Sequence, residues 1–542
     1  MTRSPGALAV IDAGAATTSL ALLGRPGTRW RLLGSLAVPS GVDEDELLSV
    51  LAARIRAVDP DLAEATGLSP AKLSAVPRLA SRSSRPRTLA LLGASRRSVA
   101  LLEAVVARTA WRVKAASTET HDPREMTELA LRADVSAVLA SAGDPPGPDE
   151  RPALDDLAAL VAAVARRRPE LQIVLGGSLR GRRAWTEDYG TDDQWDPARI
   201  VEAPAAGGRT RTDEGLRAVL EGLLADPLDG RRALGPAAAS LADLLDRRIE
   251  VLDIGHDGGA RVLASPGAAG DEPSTTALTA AAAALLPAPL DDALVDQVLA
   301  WTTGSLDRHR MADRLRDLRA SPWSDQTDDG ARLRLAAARA ALARLAGLTR
   351  DLSDLAAPDL TIVSGGAFAA APAGAAILAV ADTIRRTGAT QVAADPARLL
   401  GPIGTIEDPA ERRALLADVA GDLLVPLGTM LLAAGVRPRR DGAPVGEPVL
   451  AADGSASRHA LTAGDLAFVD LAPGVQARAT LEFRDLARIG RRTRRAAVSV
   501  TGGLAGLLVD LRDVPLRLPE RRDRRRAALA GWSNLGWPGG DR

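Results

Sequence analysis

The chain has 542 residues, a length that indicates several lobes. Its residues are 46% hydrophobic and 25% charged, a composition typical of a folded protein. A net charge of −1 and an aromatic fraction of 2% provide neither a strong field nor many rings for binding nucleic acid or an anionic membrane. The absence of cysteine excludes disulfides, thiolate metal sites and cysteine nucleophiles. No long apolar run precedes Asp12, so we expect no signal peptide. The most apolar windows, residues 277–286 and 423–436, are shorter than a membrane span, and we predict a cytoplasmic protein.

The first 86 residues predict a strand, a turn, two more strands and a helix. An apolar strand runs into Asp12-Ala13-Gly14, and a second strand follows this turn at once. The predicted strands are residues 7–10, 17–23 and 30–38, and the predicted helix is 43–58. We interpret residues 1–86 as one half of a duplicated fold.

Residues 87–239 change to alternating strands and helices, which predicts an α/β lobe with a parallel sheet. The predicted strands are 88–92, 135–140 and 171–175, and the predicted helices are 99–109 and 153–167. Because residues 240–436 then return to the first pattern, we interpret this lobe as an insertion.

The returning pattern begins with an apolar strand that runs into Asp253-Ile254-Gly255. A later apolar strand, residues 360–363, ends in Ser364-Gly365-Gly366. Helices are predicted at residues 277–286, 290–302, 332–345, 373–386 and 410–424. Residues 437–542 contain short strand-like runs between Gly, Pro and Asp, which predicts a small C-terminal β domain with a basic helix at 521–529.

An Asp-x-Gly turn at the end of a strand suits the binding of a phosphate. Glycine lets the backbone approach the phosphate, and the amide N–H groups of the turn then point at the anion. The aspartate holds a water or Mg²⁺, and nearby hydroxyls donate to phosphate oxygens. Asp12, Gly14, Thr17 and Thr18 supply these groups, with Asp12 as the expected Mg²⁺ ligand.

The second half has fewer groups that could hold a phosphate. Asp253 and Gly255 repeat the first turn, but no Ser or Thr follows them within the turn. A third turn comprises Ser364, Gly365 and Gly366. Its glycines would let an adenosine or a sugar lie against the backbone.

Taken together, these motifs resemble the duplicated actin-like/Hsp70/sugar-kinase (ribonuclease H-like) α/β fold, and the chain is similar to the glutamate mutase L family over nearly its whole length. Residues 12–19 stand where that family has Asp-x-Gly-Ser-Thr-x-Thr-Lys, and 252–260 where it has Asp-Ile-Gly-Gly-Ala-Thr-Thr-Asp. Residues 141–147 replace its Gly-Gly-Thr-Asp-Gly-Gly loop, 363–367 its double-glycine turn, and 509–516 its Asp-x-Arg-Gly-Arg-Pro-Leu tail.

The chain departs from the family at several phosphate-binding positions. The lysine of the first turn is Ser19, both threonines of the second turn are Gly258 and Gly259, and its closing aspartate is Ala260. Each lost donor to a charged phosphate forfeits roughly 1.5–3 kcal/mol, so two losses weaken binding by about two to four decades. The second phosphate motif is therefore degraded, and whether the protein hydrolyses ATP stays open.

The resemblance implies an accessory or chaperone-like protein for a B12-dependent mutase such as glutamate mutase. It implies ATP and Mg²⁺ as ligands, weak or absent hydrolysis, and no cobalamin bound directly. The expected partners are subunits of an adenosylcobalamin-dependent mutase, with neither nucleic acid nor membrane among them. Asp12 and Asp253 are then the expected catalytic residues, and the nucleotide contacts are Gly14, Thr17, Thr18, Gly255, Ser364, Gly365 and Gly366. Two alternatives remain: a pseudo-ATPase scaffold acting only through protein contacts, and a small-molecule kinase of the same fold.

Overall fold

A computed structural model of the chain divides into two compact units. Unit 1 comprises Met1–Ser84, Pro227–Ala277 and Ala283–Arg542, and unit 2 comprises Arg85–Asp226 and Leu278–Ala282. The structure describes residues 6–83, 85–142, 146–147, 150–177, 179–186, 199–205, 210–268, 271–324, 327–354, 356–436, 446–452, 455–458 and 460–537. Part of the loop compared with the family, residues 143–145, lies outside these ranges. In the described part of the chain, no helix is both long and apolar enough to cross a membrane.

The N-terminal part of unit 1 is a four-stranded sheet with two helices. Its elements are β1 (Ala7–Ala13), β2 (Thr17–Gly24), β3 (Arg31–Pro39), α1 (Glu44–Val58), α2 (Pro60–Ala65) and β4 (Arg78–Arg82). The strand order is β3-β2-β1-β4, with β1 antiparallel to β2 and parallel to β4. Asp43 caps α1 by accepting from the backbone N–H of Asp45 at 2.8 Å. The apolar face of α1 then packs into the core that includes Ile11 and Leu20.

Unit 2 contains a five-stranded parallel sheet in the order β6-β5-β7-β8-β9. Its elements are β5 (Thr88–Gly93), α3 (Arg96–Val106), β6 (Arg112–Ser117), α4 (Pro123–Ala130), β7 (Val135–Ser141), α5 (Glu150–Arg167), β8 (Gln172–Gly176), α6 (Arg183–Thr186), β9 (Ile200–Ala203) and α7 (Thr210–Gly222). Two apolar clusters involve the strands and helices of this unit. The sequence analysis missed β6, whose half-buried Arg112 and Lys114 interrupt the apolar run, and β9, which has only four residues.

The second half of unit 1 repeats the topology of the first. Its elements are α8 (Gly230–Leu245), β10 (Ile249–Ile254), β11 (Gly259–Ser265), β12 (Ser274–Ala280), α9 (Asp292–Leu299), α10 (Arg308–Ala320), α11 (Asp328–Leu348), β13 (Leu360–Ser364), α12 (Ala373–Thr383), β14 (Gly388–Ala394), α13 (Leu400–Gly404), α14 (Pro409–Leu423) and β15 (Val425–Leu432). The order β12-β11-β10-β13 matches β3-β2-β1-β4, and β10 is likewise antiparallel to β11 and parallel to β13. This duplication confirms the predicted actin-like α/β fold class.

Two features of this half differ from the sequence analysis. The predicted helix at 277–286 is wrong, because β12 extends to Ala280 and only a short 3₁₀ turn, Ala281–Ala283, follows. Alanine favours a helix, but β12 pairs with β11 at the edge of the sheet, and this pairing overrides the local preference. In addition, α8 belongs to unit 1, so the boundary expected at residue 239 falls inside this helix.

The C-terminal region contributes to two sheets. Its elements are β16 (Gly446–Ala452), β17 (Ser455–Arg458), β18 (Leu466–Val469), β19 (Gln476–Ile489), β20 (Arg491–Thr501), β21 (Leu507–Asp510) and α15 (Arg522–Gly536). A separate four-stranded sheet has the order β17-β16-β19-β20. The other two strands, β18 and β21, extend the main sheet, which has eight strands in the order β12-β11-β10-β13-β14-β15-β21-β18.

A buried charge cluster lies at the end of β21. The carboxylate of Asp510 accepts from Arg512 Nε at 3.0 Å and from Arg385 Nη1 at 2.7 Å. Arg512 also pairs with Asp382 on α12 at 2.9 Å, and its guanidinium lies 4.4 Å from the centre of the Trp532 ring on α15. Burial alone would raise the pKa of Asp510, but hydrogen bonds and charge from the two arginines lower it to about 2. The Asp-x-Arg tail noted in the sequence therefore has a structural role, joining β21 to α12 and α15.

Candidate nucleotide-binding site

A cavity of about 660 Å³ in unit 1 lies where the strands of the two halves end. Asp12 lies near the end of β1, and Asp253 near the end of β10. Parallel pairing of β10 with β13 sets Ser364 beside Asp253. Although β1 and β10 belong to different sheets, both aspartates line the same cavity. Its volume is in the range of about 300–1,000 Å³ that is usual for small-molecule and cofactor sites.

The structure brings most of the residues proposed from the sequence to this cavity. The lining residues among them are Asp12, Gly14, Thr17, Asp253, Gly255, Ser364, Gly365 and Gly366. Thr18 is the exception: it is 5% exposed, lies on β2, and is not among the lining residues. Successive side chains of a strand point to opposite faces, so Thr17 and Thr18 cannot both face the cavity.

Gly365 is required by the backbone at the end of β13. Its φ of 89° lies in the left-handed region. A Cβ at this position would lie 2.3 Å from the carbonyl oxygen of Ile254 and 2.8 Å from Oδ1 of Asp253. Only glycine therefore allows the β13 turn to approach the second Asp-x-Gly turn this closely.

Arg398, which the sequence analysis did not select, lies at the first turn. Its Nη1 donates to Thr17 Oγ1 at 2.8 Å and is 3.8 Å from Oδ2 of Asp12. The side chain is 12% exposed, and its backbone φ of 54° is rare for a residue other than glycine. Such a conformation costs about 1–3 kcal/mol and persists only where the surroundings impose it.

The loop that holds Arg398 is organised by Asp395. Its two carboxylate oxygens accept from the backbone N–H groups of Leu399 and Leu400, both at 3.0 Å. Asp395 is 3% exposed, and burial raises its pKa to about 6 despite these two bonds. The carboxylate thus joins the end of β14 to α13 and orients the intervening loop toward the cavity.

Arg231 occupies the corresponding place at the second turn. It lies in the first turn of α8, where Asp229 accepts from its backbone N–H at 3.0 Å. Its Nε is 3.5 Å from Oδ2 of Asp253, close enough for an ion pair. The side chain is 10% exposed, and Nε has no hydrogen-bond acceptor among the described residues.

The glycines of the two turns leave room for these guanidinium groups. A Cβ at Gly255 would lie 2.8 Å from Nη2 of Arg231, and one at Gly366 would lie 3.1 Å from Nη2 of Arg398. A Cβ at Gly14 would lie 3.6 Å from Nη1 of Arg398. The arginine side chains therefore lie over the glycine positions that the sequence assigns to phosphate contacts.

Opposing effects act on the two aspartates. Burial raises the pKa of Asp12, while the charge of Arg398, a hydrogen bond from Ser81 at 2.9 Å and the charge of Arg231 lower it. Burial also raises the pKa of Asp253, which Arg231 lowers and the nearby charge of Asp12 raises further. The net shift of both pKa values is upward, because the effect of burial exceeds that of the two arginines.

The residues present do not fit a Mg²⁺ ion at Asp12. Mg²⁺ takes oxygen ligands at about 2.0–2.1 Å in octahedral geometry, usually one or two carboxylates together with phosphates and waters. At an effective dielectric constant of about 20, two unit charges about 4 Å apart interact by about 4 kcal/mol, and a divalent ion would double the repulsion from Arg398. Within the described ranges, no group of three or more His, Asp or Glu side chains is arranged to hold a metal.

The same residues fit an anion well. Two guanidinium groups at the edge of a cavity can donate to phosphate oxygens in pairs, and the buried Arg231 Nε has only the long 3.5 Å contact with Asp253 in the described structure. Gly255 and Gly366, which lie beside these guanidinium groups, also line the cavity.

No family model and no curated protein matches this sequence. Among solved structures, the chain is similar to nucleotide-free acetone carboxylase, with 12% identity over 84% of this chain and 81% of that chain and a TM-score of 0.27. It is similar to the PilM–PilN type IV pilus biogenesis complex (17% identity, 77% and 99% covered, TM-score 0.22). It is also similar to gluconate kinase from Lactobacillus acidophilus (7% identity, 78% and 92% covered, TM-score 0.21). The fold assignment rests on the duplicated strand order.

Proposed function

We propose that this protein is a nucleotide-binding accessory protein of the actin-like fold that acts on an adenosylcobalamin-dependent mutase, with weak or absent ATP hydrolysis. One observation supports nucleotide binding above all others: Asp12, Asp253 and the Gly365-Gly366 turn come from distant parts of the chain and line one cavity. The mutase as partner rests on the resemblance of the turn sequences to the glutamate mutase L family.

Two features favour weak hydrolysis. The second turn has Gly258 and Gly259 in place of hydroxyl-bearing residues. In addition, Asp12 and Asp253 each lie next to an arginine and do not fit a metal that would activate the phosphate. The pseudo-ATPase scaffold of the sequence analysis is the alternative, in which protein contacts alone carry the function.

A calorimetric titration with ATP separates the two functions. We expect saturable binding by the wild-type chain and at least about tenfold weaker binding by Gly366→Val, whose side chain enters the cavity but meets only the flexible end of Arg398. Gly27→Val is the matched control, because no atom lies within 4 Å of its added Cβ. No heat at millimolar ATP would support the scaffold instead.

The partner needs a separate assay. We expect the protein with ATP to restore activity to an adenosylcobalamin-dependent mutase inactivated by turnover, and Gly366→Val to fail in this reactivation. Reactivation that is equally efficient without any nucleotide would contradict the nucleotide-dependent role and favour the scaffold.

A further inference from the structure

Two arginines lie where an ATPase of this fold would be expected to hold a metal ion. Arg398 approaches from the loop after β14, and Arg231 from the first turn of α8. Building on the nucleotide-binding function proposed above, we propose that these two guanidinium groups replace the divalent cation, so that the cavity binds the phosphates of a metal-free nucleotide.

Both arginines act on both aspartates. Burial raises the pKa of both Asp12 and Asp253, and the charges of Arg398 and Arg231 oppose this rise at each of the two carboxyl groups. Each of the two aspartates is therefore influenced by the positive charges of both arginines. A metal ion bridging protein carboxylates and phosphate performs this same charge compensation in enzymes that use Mg²⁺.

Neighbouring residues hold the two guanidinium groups in place. Thr17 Oγ1 accepts a hydrogen bond from Arg398 Nη1, and Asp395 holds the loop that carries Arg398. Asp229 caps the helix that carries Arg231. Preorganised cations lose little side-chain freedom when an anion arrives, which favours binding.

The geometry of the turns directs the guanidinium groups to the positions of the phosphates. Each group lies beside a glycine of the cavity: a Cβ at Gly255 would lie 2.8 Å from Nη2 of Arg231, and one at Gly366 would lie 3.1 Å from Nη2 of Arg398. A phosphate that contacts the backbone of either glycine therefore meets an arginine fork, which can donate two parallel hydrogen bonds to its oxygens. A nucleotide that carries Mg²⁺ brings a further positive charge toward two fixed cations, whereas the metal-free anion does not.

Calorimetric titration of the full chain with ATP, in excess EDTA and in excess MgCl₂, tests the proposal. We expect binding in EDTA to be as tight as binding in MgCl₂ or tighter. Binding that requires Mg²⁺, with at least about tenfold loss in EDTA, would overturn this inference and leave the proposed function standing. Absence of binding under both conditions would overturn both.

Variants of the two arginines make the test specific. In EDTA, Arg231→Gln combined with Arg398→Gln should weaken ATP binding by about 100-fold, because charge-assisted hydrogen bonds are lost on both sides of the phosphates. Since the aspartates then lack their cationic neighbours, MgCl₂ should partly restore the affinity. Arg398→Lys should be intermediate, because lysine keeps the charge but not the planar fork.

Arg54→Gln, an exposed position on α1, is the control for the change in net charge. Circular dichroism of each variant should show the wild-type helix content, which separates loss of binding from loss of folding. Unchanged affinity of the double arginine variant in EDTA would refute the assignment of these two side chains.

Discussion

Asp510→Asn removes one negative charge from the buried cluster at the end of β21 and leaves the size of the side chain almost unchanged. Two guanidinium groups face this carboxylate, and the side chains of Arg385 and Arg512 are only 3% and 2% exposed. Asparagine can still accept a hydrogen bond through one oxygen, but it cannot neutralise either cation. We therefore expect a large loss of stability without a change of fold.

The lowered pKa sets the size of this loss. A shift of the Asp510 pKa from 3.8 to about 2 corresponds to about 2.5 kcal/mol of preference for the ionised form in the folded state. Leaving a buried charge without its partner costs about 3–5 kcal/mol in general. We expect a decrease of about 3 kcal/mol in the free energy of unfolding at pH 7. Because the folded pKa is lowered, this stabilisation is present above pH 4 and is lost as the pH falls through about 2.

Urea unfolding followed by tryptophan fluorescence measures this change, and Trp532 next to Arg512 is one of the reporters. Asp523→Asn is the matched control, since Asp523 also pairs with an arginine two positions away, Arg521, but both side chains are more than 60% exposed. Exposed pairs contribute little, so the control should unfold like the wild type. A loss below about 1 kcal/mol for Asp510→Asn would refute the reasoning, because the buried pairing would then have no net effect.

The remaining predictions concern the cavity and the sheet beneath it. Asp395→Asn should lower the melting temperature relative to wild type more at pH 4 than at pH 7. The pKa of Asp395 is raised to about 6, so the stability that this group gives the wild-type protein is lost as the pH rises through 6. A difference in calorimetric melting temperature that is the same at both pH values would contradict this. Gly365→Ala should abolish ATP binding and destabilise more than Gly464→Ala, which has a similar φ of 87° but open space around its Cβ; equal urea midpoints would contradict the close-approach argument. Arg261→Met should cost about 3–5 kcal/mol in urea unfolding, because it leaves Glu250 buried without the guanidinium that now lies 2.8 Å away; a neutral effect would contradict it.

The two Asp-x-Gly turns could be predicted because their signal is local. An apolar strand before Asp12 or Asp253 and a glycine two positions later specify a strand and a sharp turn without knowledge of the rest of the chain. The repeated strand order then follows from the repeated pattern. The buried residues directly before the two aspartates, Ile11 and Leu252, agree with this expectation.

The arginines could not be selected in the same way. Arg398 reaches the cavity because its backbone adopts a left-handed conformation after β14, a strand that the sequence analysis did not predict. The Asp395-Pro396 pair directly after that strand was the available signal. Arg231 fell within the boundaries expected for the inserted lobe, although α8 packs in the core of unit 1 beside β10. Tertiary position decides the role of both residues, and a chain rich in arginine gives no local reason to choose them.

Thr18 shows a limit of a different kind. In a sequence motif the hydroxyl of Thr18 looks equivalent to that of Thr17. Because side chains alternate between the two faces of β2, however, the Thr18 side chain points toward the protein interior. Binding residues on a strand should therefore be expected at every second position.

Hydrogen–deuterium exchange with and without ATP tests the central claim most directly, because it reports each turn separately. If the nucleotide lies between the two halves, backbone amides in residues 12–18, 253–259 and 364–368 should all become protected in the same titration. Protection of one turn alone, or of none of them at ATP concentrations that saturate binding, would contradict a shared nucleotide site.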